Sequence, residues 1–390
     1  MYRGDAQGDG HPPAAQLSRS EVPRLTLRWQ HSLGAAVDGA PAVSGGVVVA
    51  GSANGKLAAY RLETGARVWE DDGLGPIMGS AAVVGQQVLI GTLTGRVFAI
   101  GLRDGSIRWT WRAPRGTAAI WSSPTPYRNL LLLGIASQYG DTPLEVGRLI
   151  ALDQVSGRQL WSYCTQPNCQ PGGGIWSSPM VDSQGRAFVG LGNPNDGVLA
   201  IDAATGRRLW ETDFHPDLGR DLDVGASPVI LRTEGRERIA VGSVAGDFKM
   251  LDAENGTVLW SRQLDAGSAV HGLIGSPASD GTSLYVPSAS SPLGVLALDP
   301  ANGRTVWQRQ TQEAVYSSIA IASGVLLVGT GEVFGNPVVG GHLLAISTGD
   351  GGVLWSFTAG GPVLGSPAIV GSRVLVGDAR GELREFAPSG

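Results

Sequence analysis

A glycine followed four residues later by a tryptophan recurs seven times in this chain and constrains its fold more than any other feature. The pairs are Gly65/Trp69, Gly105/Trp109, Gly157/Trp161, Gly206/Trp210, Gly256/Trp260, Gly303/Trp307 and Gly351/Trp355. With Trp29 included, successive tryptophans of this set lie 40 to 52 residues apart. That period matches a four-stranded propeller blade and exceeds the period of most helical solenoids. The sequence therefore predicts one all-β unit built repeatedly.

Each period contains the same internal signals. A small-residue strand start such as Ser178-Pro179 leads into an apolar run, and a segment such as Ala-Leu-Asp at 151–153 follows. A Thr-Gly, Ser-Gly or Asn-Gly pair then supplies the positive φ that a tight hairpin needs. The tryptophan strand completes the unit, and we interpret these tryptophans as packing residues between units.

The number of units follows from the two ends of the chain. Eight strand starts occur, at Pro41, Ala81, Pro124, Pro179, Pro228, Pro277, Ile319 and Pro367. The eighth unit ends at 383–386 without an outer strand, whereas the segment 25–29 carries Trp29 with no unit before it. We therefore predict an eight-bladed β-propeller over residues 24–390, closed by the N-terminal strand and preceded by a flexible tail at 1–23.

Charge and hydropathy limit the partners. The formal net charge is −5 and the only lysines are Lys56 and Lys249, so the basic stripe that phosphate binding needs is missing. No apolar run approaches the roughly 20 residues of a membrane-spanning helix. We expect a monomer without a nucleic-acid partner, binding a small-molecule substrate or a protein at its loop-rich face.

The two cysteines, Cys164 and Cys169, lie close together in one loop. Their spacing is half of a zinc site at best, so a disulfide is the favoured interpretation. Disulfides persist in oxidising compartments. This favours a periplasmic or secreted protein whose leader has been removed, and a cytoplasmic location stays open.

The larger insertions fall mainly on the propeller face that carries the loops between second and third strands and the links between blades. They cover 137–147, 164–174, 193–196, 213–223 and 332–341. Loops held by a rigid scaffold commonly carry function. We therefore expect the functional site on this face.

Trp121 and Trp176 both occur in Ile-Trp-Ser-Ser-Pro at the start of an innermost strand, which predicts a place at the mouth of the central channel. They can plug the entrance or stack on a ligand, and the two alternatives are evenly balanced. The equivalent positions elsewhere hold Met78, Ile274, Tyr316 and Leu364, which suit an apolar plug.

An acidic segment precedes the fifth inner strand. It contains Asp213, His215, Asp217, Asp221 and Asp223. Carboxylates crowded over a channel can hold a hard cation such as Ca²⁺ or act as a general base, and a solvated acidic loop is the alternative. Taken alone, Asn193 and His271 fit a turn residue and a structural histidine.

Across residues 24–387 the repeat, written Ala-x-Asp-x-x-Thr-Gly-x-x-x-Trp, resembles the pyrroloquinoline quinone (PQQ) propeller-repeat family. That family includes redox enzymes and non-catalytic scaffolds. Gly-Gly-Gly-Ile-Trp-Ser-Ser-Pro at 172–179, followed by Gly-Leu-Gly-Asn-Pro at 190–194, is similar more narrowly to quinoprotein alcohol dehydrogenases, especially polyvinyl-alcohol-dehydrogenase-like proteins.

This resemblance implies a set of site residues. Trp176 would form the floor under PQQ with Trp121 beside it, and Asn193 would bind Ca²⁺. Asp221 or Asp223 would be the general base, with Asp221 preferred and also expected at the metal. Glu145, or Asp141 nearby, would stand in for the family's metal-binding glutamate. These are cofactor, metal and catalytic assignments that the resemblance carries.

In such an enzyme Ca²⁺ would polarise the quinone carbonyl while the aspartate takes the proton of the substrate hydroxyl. The chain departs from the family at 242–246, where the basic residue that faces the quinone oxygens is absent. It also lacks a haem motif, so electrons would pass to an external acceptor.

Two further hypotheses remain. A cofactor-free propeller would act as a protein-binding scaffold, as outer-membrane assembly factors with this repeat do. A cofactor-independent enzyme would use the same funnel, with Asp221, Asp223 or His271 as acid or base.

Overall fold

Eight antiparallel sheets of four strands each form the protein, as the sequence predicts. The structure, a computed structural model, describes residues 8, 10–12, 15–215, 221–334 and 340–389. Within these residues the only helices are two 3₁₀ turns, Val22–Arg24 and Pro167–Cys169. The eight-bladed, four-stranded propeller is thereby confirmed.

Each of the first seven blades uses four consecutive strands, numbered from the channel outwards. Blades 1 and 2 are Ala42–Ser44, Val47–Gly51, Leu57–Arg61, Arg67–Asp71 and Ala82–Val84, Gln87–Gly91, Arg96–Gly101, Ile107–Arg112. Blades 3 and 4 are Thr125–Tyr127, Leu130–Ile135, Arg148–Asp153, Gln159–Cys164 and Met180–Val181, Arg186–Gly190, Gly197–Asp202, Arg208–Asp213. Blades 5 and 6 are Val229–Thr233, Arg236–Gly242, Asp247–Asp252, Val258–Gln263 and Ala278–Ser279, Leu284–Ser288, Gly294–Leu298, Thr305–Gln310. Blade 7 is Ala320–Ala322, Val325–Gly329, His342–Ser347, Val353–Thr358, and blade 8 is Ala368–Val370, Arg373–Gly377, Glu382–Pro388 with Leu25–Ser32.

The N-terminal strand closes the ring. Leu25–Ser32 pairs antiparallel with Glu382–Pro388, with Leu25 opposite Pro388 and Ser32 opposite Glu382. The chain then enters blade 1, where Val37 packs against buried residues of blade 8. This pairing covers the outer edge of the last blade, which would otherwise be open to another chain.

The glycine and the tryptophan of the repeat meet across blade boundaries. The indole nitrogen of Trp69 donates a 2.8 Å hydrogen bond to the carbonyl of Leu102 in the next blade, and Gly105 of that blade lies against the Trp69 ring. Gly105 has φ +70°, in the left-handed region that glycine adopts at low cost. The same arrangement runs from Trp29 to Trp307. The tryptophans therefore pack between blades, as predicted.

Part of the segment before residue 24 contacts the propeller. The amide of Gln16 donates to the carbonyl of Gly371, and the amide of Ile321 donates to the carbonyl of Gly10. Leu17 is fully buried in an apolar cluster with Phe386. Residues 1–7, 9 and 13–14 of the predicted tail lie outside the described residues.

Candidate functional site

One residue from each blade forms a ring around a central cavity of about 530 Å³. Each ring residue lies three positions before its strand start. The ring residues are Asp38, Met78, Trp121, Trp176, Gly225, Ile274, Tyr316 and Leu364. Residues from the insertions at 137–147, 164–174, 193–196, 213–223 and 332–341 also line the cavity. The predicted loop-rich face therefore contains a concave site in which residues of all eight blades meet.

A belt of serine side chains links the blades at the same level. The amide of Ser80 donates to the hydroxyl of Ser123 at 2.9 Å, and the amide of Ser123 donates in the same way to Ser178. The series runs from Ala40 to Ser318 in six such bonds. Because each bond fixes one blade start to the next, the ring residues sit on rigid backbone.

Trp176 and Asp223 form the best-organised corner of the cavity. The Trp176 indole nitrogen donates a 2.5 Å hydrogen bond to Asp223 Oδ2. The indole lies over Gly225, where a Cβ atom would collide with its six-membered ring. The absent side chain of Gly225 therefore gives Trp176 its place in the ring.

Asn193 connects this corner to Asp221. Its backbone amide donates to Asp223 Oδ1 at 3.1 Å, and its side-chain Nδ2 donates to Asp221 Oδ1 at 3.2 Å. The remaining amide oxygen, Asn193 Oδ1, is buried and accepts no hydrogen bond from the described residues. A buried acceptor without a donor is costly, and a cation could satisfy it.

The two carboxylates differ in environment. Asp221 is exposed, whereas Asp223 is largely covered. Burial raises the pKa of Asp223 to about 7, with a further contribution from the charge of Asp221, while the hydrogen bonds from Trp176 and Asn193 act in the opposite direction.

The glycine-rich loop before Trp176 is held by the disulfide loop and by Asn193. Cys164 and Cys169 are joined, so the predicted disulfide is confirmed. The amide of Gly172 donates to the carbonyl of Glu145 at 2.8 Å, and the amide of Gly173 donates to the carbonyl of Asn193 at 2.5 Å. The loops of blades 3 and 4 therefore brace each other.

Glu145 does not line the cavity. Its buried carboxylate accepts hydrogen bonds from the Thr117 hydroxyl and from the amide of Val146. Asp141, the alternative stand-in, does line the cavity. The structure thus brings Trp121, Trp176, Asn193, Asp221 and Asp223 together and leaves Glu145 apart.

The acidic segment is also divided. Asp213 and His215 line a separate, shallower hollow with Asn195 and Glu211, and His215 Nδ1 lies 3.8 Å from Asp196 Oδ2. Asp217 lies outside the described residues. Among the described residues of this segment, only Asp221 and Asp223 line the central cavity.

Trp121 and His271 are held by nearby groups. The Trp121 indole nitrogen donates to the carbonyl of Ser137 at 2.8 Å, and its ring lies 6.5 Å from that of Tyr139. His271 Nδ1 lies 3.1 Å from the Ser268 hydroxyl, and Nε2 lies 3.6 Å from Glu332 Oε2. His271 is not one of the described lining residues of the cavity, and its ring lies 6.1 Å from that of the lining residue Tyr316.

Asp38 is a cavity residue that the sequence reasoning missed. Its signal was available, because it precedes Pro41 by the same three positions that separate Trp176 from Pro179. With Asp38, Asp141, Asp221 and Asp223, the cavity has four carboxylates, and no lysine, arginine or histidine is among its described lining residues. The absence of a basic residue at 242–246 therefore leaves an acidic cavity.

Among the described residues, no group of three or more histidine, cysteine, aspartate or glutamate side chains is placed to hold a metal. No helix in this part of the chain is long and apolar enough to cross a membrane.

Eight four-stranded blades around a central cavity define an eight-bladed β-propeller with four carboxylates among the described cavity-lining residues. The chain belongs to the PQQ-repeat family described as outer membrane protein assembly factor BamB, whose model matches residues 23–139, 145–334 and 293–389.

Among individual relatives, the polyvinylalcohol dehydrogenase of Pseudomonas sp is 26% identical over 430 residues, covering 90% of this chain. The chain spans 66% of that relative's length. The BamB assembly factor of Bordetella pertussis is also 26% identical, over 96% of this chain and 90% of that protein.

Among solved structures, the quinohemoprotein alcohol dehydrogenase of Comamonas testosteroni matches all of this chain and 80% of its own, with TM-score 0.83 and 16% identity. At that identity the likeness concerns the fold alone. The relatives thus include both dehydrogenases and assembly factors, and the overall fold is common to the two groups.

Proposed function

We propose that the protein is a metal-dependent quinoprotein dehydrogenase that oxidises an alcohol in the central cavity. One observation carries the proposal: Asp223 holds both the Trp176 indole and the Asn193 backbone, while Asn193 Oδ1 is left buried without a donor. If these residues served only for packing, the protein would be more stable with a hydrogen-bond donor to Asn193 Oδ1, because buried polar atoms are normally paired.

The metal would be a hard cation of the Ca²⁺ type. Asn193 Oδ1 and Asp221 offer an amide oxygen and a carboxylate from two neighbouring loops, which is the donor chemistry that Ca²⁺ prefers. Glu145 is not needed in this set, because its carboxylate is already held by Thr117 and Val146. Water or the cofactor would supply the remaining ligands.

The cofactor would lie on the Trp176 indole. This fits the planar surface that Trp176 presents above Gly225, and Trp121 offers a second indole in the same ring. When bound, PQQ would supply the hydride acceptor, with its carbonyl polarised by the metal. Since PQQ is a polycarboxylate and the cavity is acidic, we expect its binding to require the metal.

Asp221 is the proposed general base. Both oxygens of Asp223 accept hydrogen bonds, from Trp176 and from Asn193. Asp221 accepts one, from the Asn193 side chain, and is exposed to the cavity. Asp221 would therefore take the hydroxyl proton, and Asp223 would position the indole and the metal-binding loop.

The test is a titration of the protein with PQQ, with and without Ca²⁺, followed by tryptophan fluorescence. We expect Ca²⁺-dependent quenching that Trp176→Ala and Asn193→Ala abolish, while Trp111→Phe, a change outside the cavity, retains it. Absence of binding at micromolar PQQ in the presence of Ca²⁺ would overturn the proposal. Equal quenching without Ca²⁺ would overturn the metal assignment.

A second candidate is a cofactor-free scaffold that binds a protein at the same face. Exposed apolar side chains favour it: Tyr139 is 72% exposed, and Leu144 and Phe334 also project at the cavity mouth. A pull-down that recovers one stoichiometric partner with the wild type, and loses it with Tyr139→Ser, would support this candidate.

A third candidate is a cofactor-independent enzyme that uses the same aspartates. Such an enzyme would oxidise no alcohol with added PQQ and Ca²⁺.

The disulfide supports a location outside the cytoplasm, since such bonds persist in oxidising compartments. We propose a periplasmic or secreted protein on this basis.

A further inference from the structure

Asp38 is a carboxylate that the proposed dehydrogenase site does not use. It occupies the blade 1 position of the cavity ring. Its Oδ1 atom is out of reach of solvent and accepts no hydrogen bond within the described part of the chain. No ion pair involving Asp38 occurs among those residues either. Asp38 as a whole is half-buried, and its unpaired oxygen is costly unless a nearby donor or positive charge compensates for it.

The neighbours of Asp38 in the ring are apolar. Met78 and Leu364 occupy the adjacent positions, in blades 2 and 8, and Trp121 follows in blade 3. A small, strongly hydrated cation gains little binding free energy from contact with these apolar side chains. An alkylated ammonium group suits them, because its methyl groups bury apolar surface while its charge faces the carboxylate and an indole.

The ring places Asp38 across the cavity from the proposed catalytic corner. Asp38 belongs to blade 1 and Gly225, over which Trp176 lies, belongs to blade 5, so three blades lie between them in either direction. A ligand that reaches from Asp38 to Asp221 must therefore carry its two polar groups at opposite ends of a linker that spans the cavity.

We propose that Asp38 is the binding subsite for the alkylammonium group of a cationic alcohol, whose hydroxyl faces Asp221 on the opposite wall. The fate of the hydroxyl rests on the proposed dehydrogenase function, whereas capture of the ammonium group does not. The acidic lining supports this class of ligand, because four aspartates without a described basic neighbour attract a cation and repel an anion. Burial also raises the pKa of Asp38 to about 6, as expected for a carboxyl group that lacks a cationic partner.

The experiment compares choline with its uncharged isostere 3,3-dimethyl-1-butanol, using calorimetry on the Ca²⁺-loaded protein at about pH 8 without PQQ. We expect choline to bind about tenfold more tightly, a typical difference for a partly desolvated ammonium group. Asp38→Asn should reduce the ratio to near one. Asp38→Glu, which keeps the charge, and Asp221→Asn, which changes the opposite wall, should both retain the preference.

Each result decides between the alternatives. A ratio near one for the wild type, or an unchanged ratio for Asp38→Asn, overturns the subsite. Loss of the preference in Asp221→Asn with retention in Asp38→Asn places the cation at the catalytic corner and also overturns it. Because no quinone is present, a failed PQQ titration together with a retained choline preference would remove the dehydrogenase proposal and leave the subsite standing.

Discussion

At the scale of single residues, the two aspartates of the Asp221-Leu-Asp223 segment show how environment separates identical side chains. Asp223 is covered and accepts hydrogen bonds from Trp176 and Asn193, whereas Asp221 is exposed to the cavity. Pairs of acids with different surroundings commonly divide positioning and proton transfer between them. Sequence spacing alone could not show which aspartate is covered and which is exposed, because both residues match the same motif position.

Asp38 carries a residue-scale prediction about pH. Its folded pKa of about 6 is above the usual value of 3.8, so the folded state holds the proton more tightly than the unfolded chain. Its contribution to stability is therefore fully present below about pH 4 and is lost as the pH rises through about 6. We expect Asp38→Asn to stabilise the ligand-free protein by about 1–3 kcal/mol at pH 7.5. Thermal unfolding at about pH 4 and pH 7.5 measures this, and an equal change in Tm at both values would contradict it.

At the scale of elements, the repeat motif serves as a clamp between blades. The glycine of each Gly-x-x-x-Trp segment lies against the tryptophan ring of the preceding blade, while that indole nitrogen donates to a carbonyl beside the glycine turn. The motif therefore connects two neighbouring blades rather than two positions within one blade. The sequence shows the spacing within a blade, and only the fold shows which glycine meets which tryptophan.

Gly206→Ala tests this clamp. Gly206 has φ +73°, and a Cβ atom there would lie 2.7 Å from the Trp161 ring. Left-handed backbone strain and the steric conflict should together cost about 2–3 kcal/mol. Gly116→Ala is the matched control, because a Cβ atom at Gly116 meets nothing within 4 Å. Urea unfolding should show a lower midpoint for Gly206→Ala alone, and similar midpoints for the two variants would argue against the clamp.

At the scale of the whole molecule, stability depends on closure of the ring. The first strand of the chain completes the last blade, so contacts between residues 350 or more positions apart hold the two ends together. Such closure leaves no long sheet edge for pairing with another chain. It also fixes the eight cavity residues in one circle, which a partial ring could not do.

Two leucines of the closing strand provide a matched test of this dependence. Leu25 is 5% exposed and Leu27 is 41% exposed on the same strand. We expect Leu25→Asp to destabilise the protein by about 3 kcal/mol or more, because it buries an unpaired charge at the closure. It should also promote aggregation by freeing the Glu382–Pro388 edge. Leu27→Asp should change Tm and light scattering little, and equal effects of the two variants would show that closure is not the weak point.

The sequence by itself determined the repeat, the number of blades and the closing strand. Each of these follows from local rules: hairpin turns need glycine, strands need apolar runs, and an unmatched outer strand at one end requires a partner at the other. It also predicted the loop-rich face and placed Trp121, Trp176, Asn193, Asp221 and Asp223 as candidates for one site.

Only the tertiary structure decided which of these side chains meet and in what state. The Glu145 carboxylate accepts a hydrogen bond from Thr117 and does not line the cavity. The Trp176 ring occupies the space that a Cβ atom of residue 225 would need, and Asn193 Oδ1 is buried without a donor among the described residues. Asp38 joins residues of seven other blades around one axis. These facts depend on long-range packing and burial, which set distances and pKa values, and a one-dimensional spacing does not encode either.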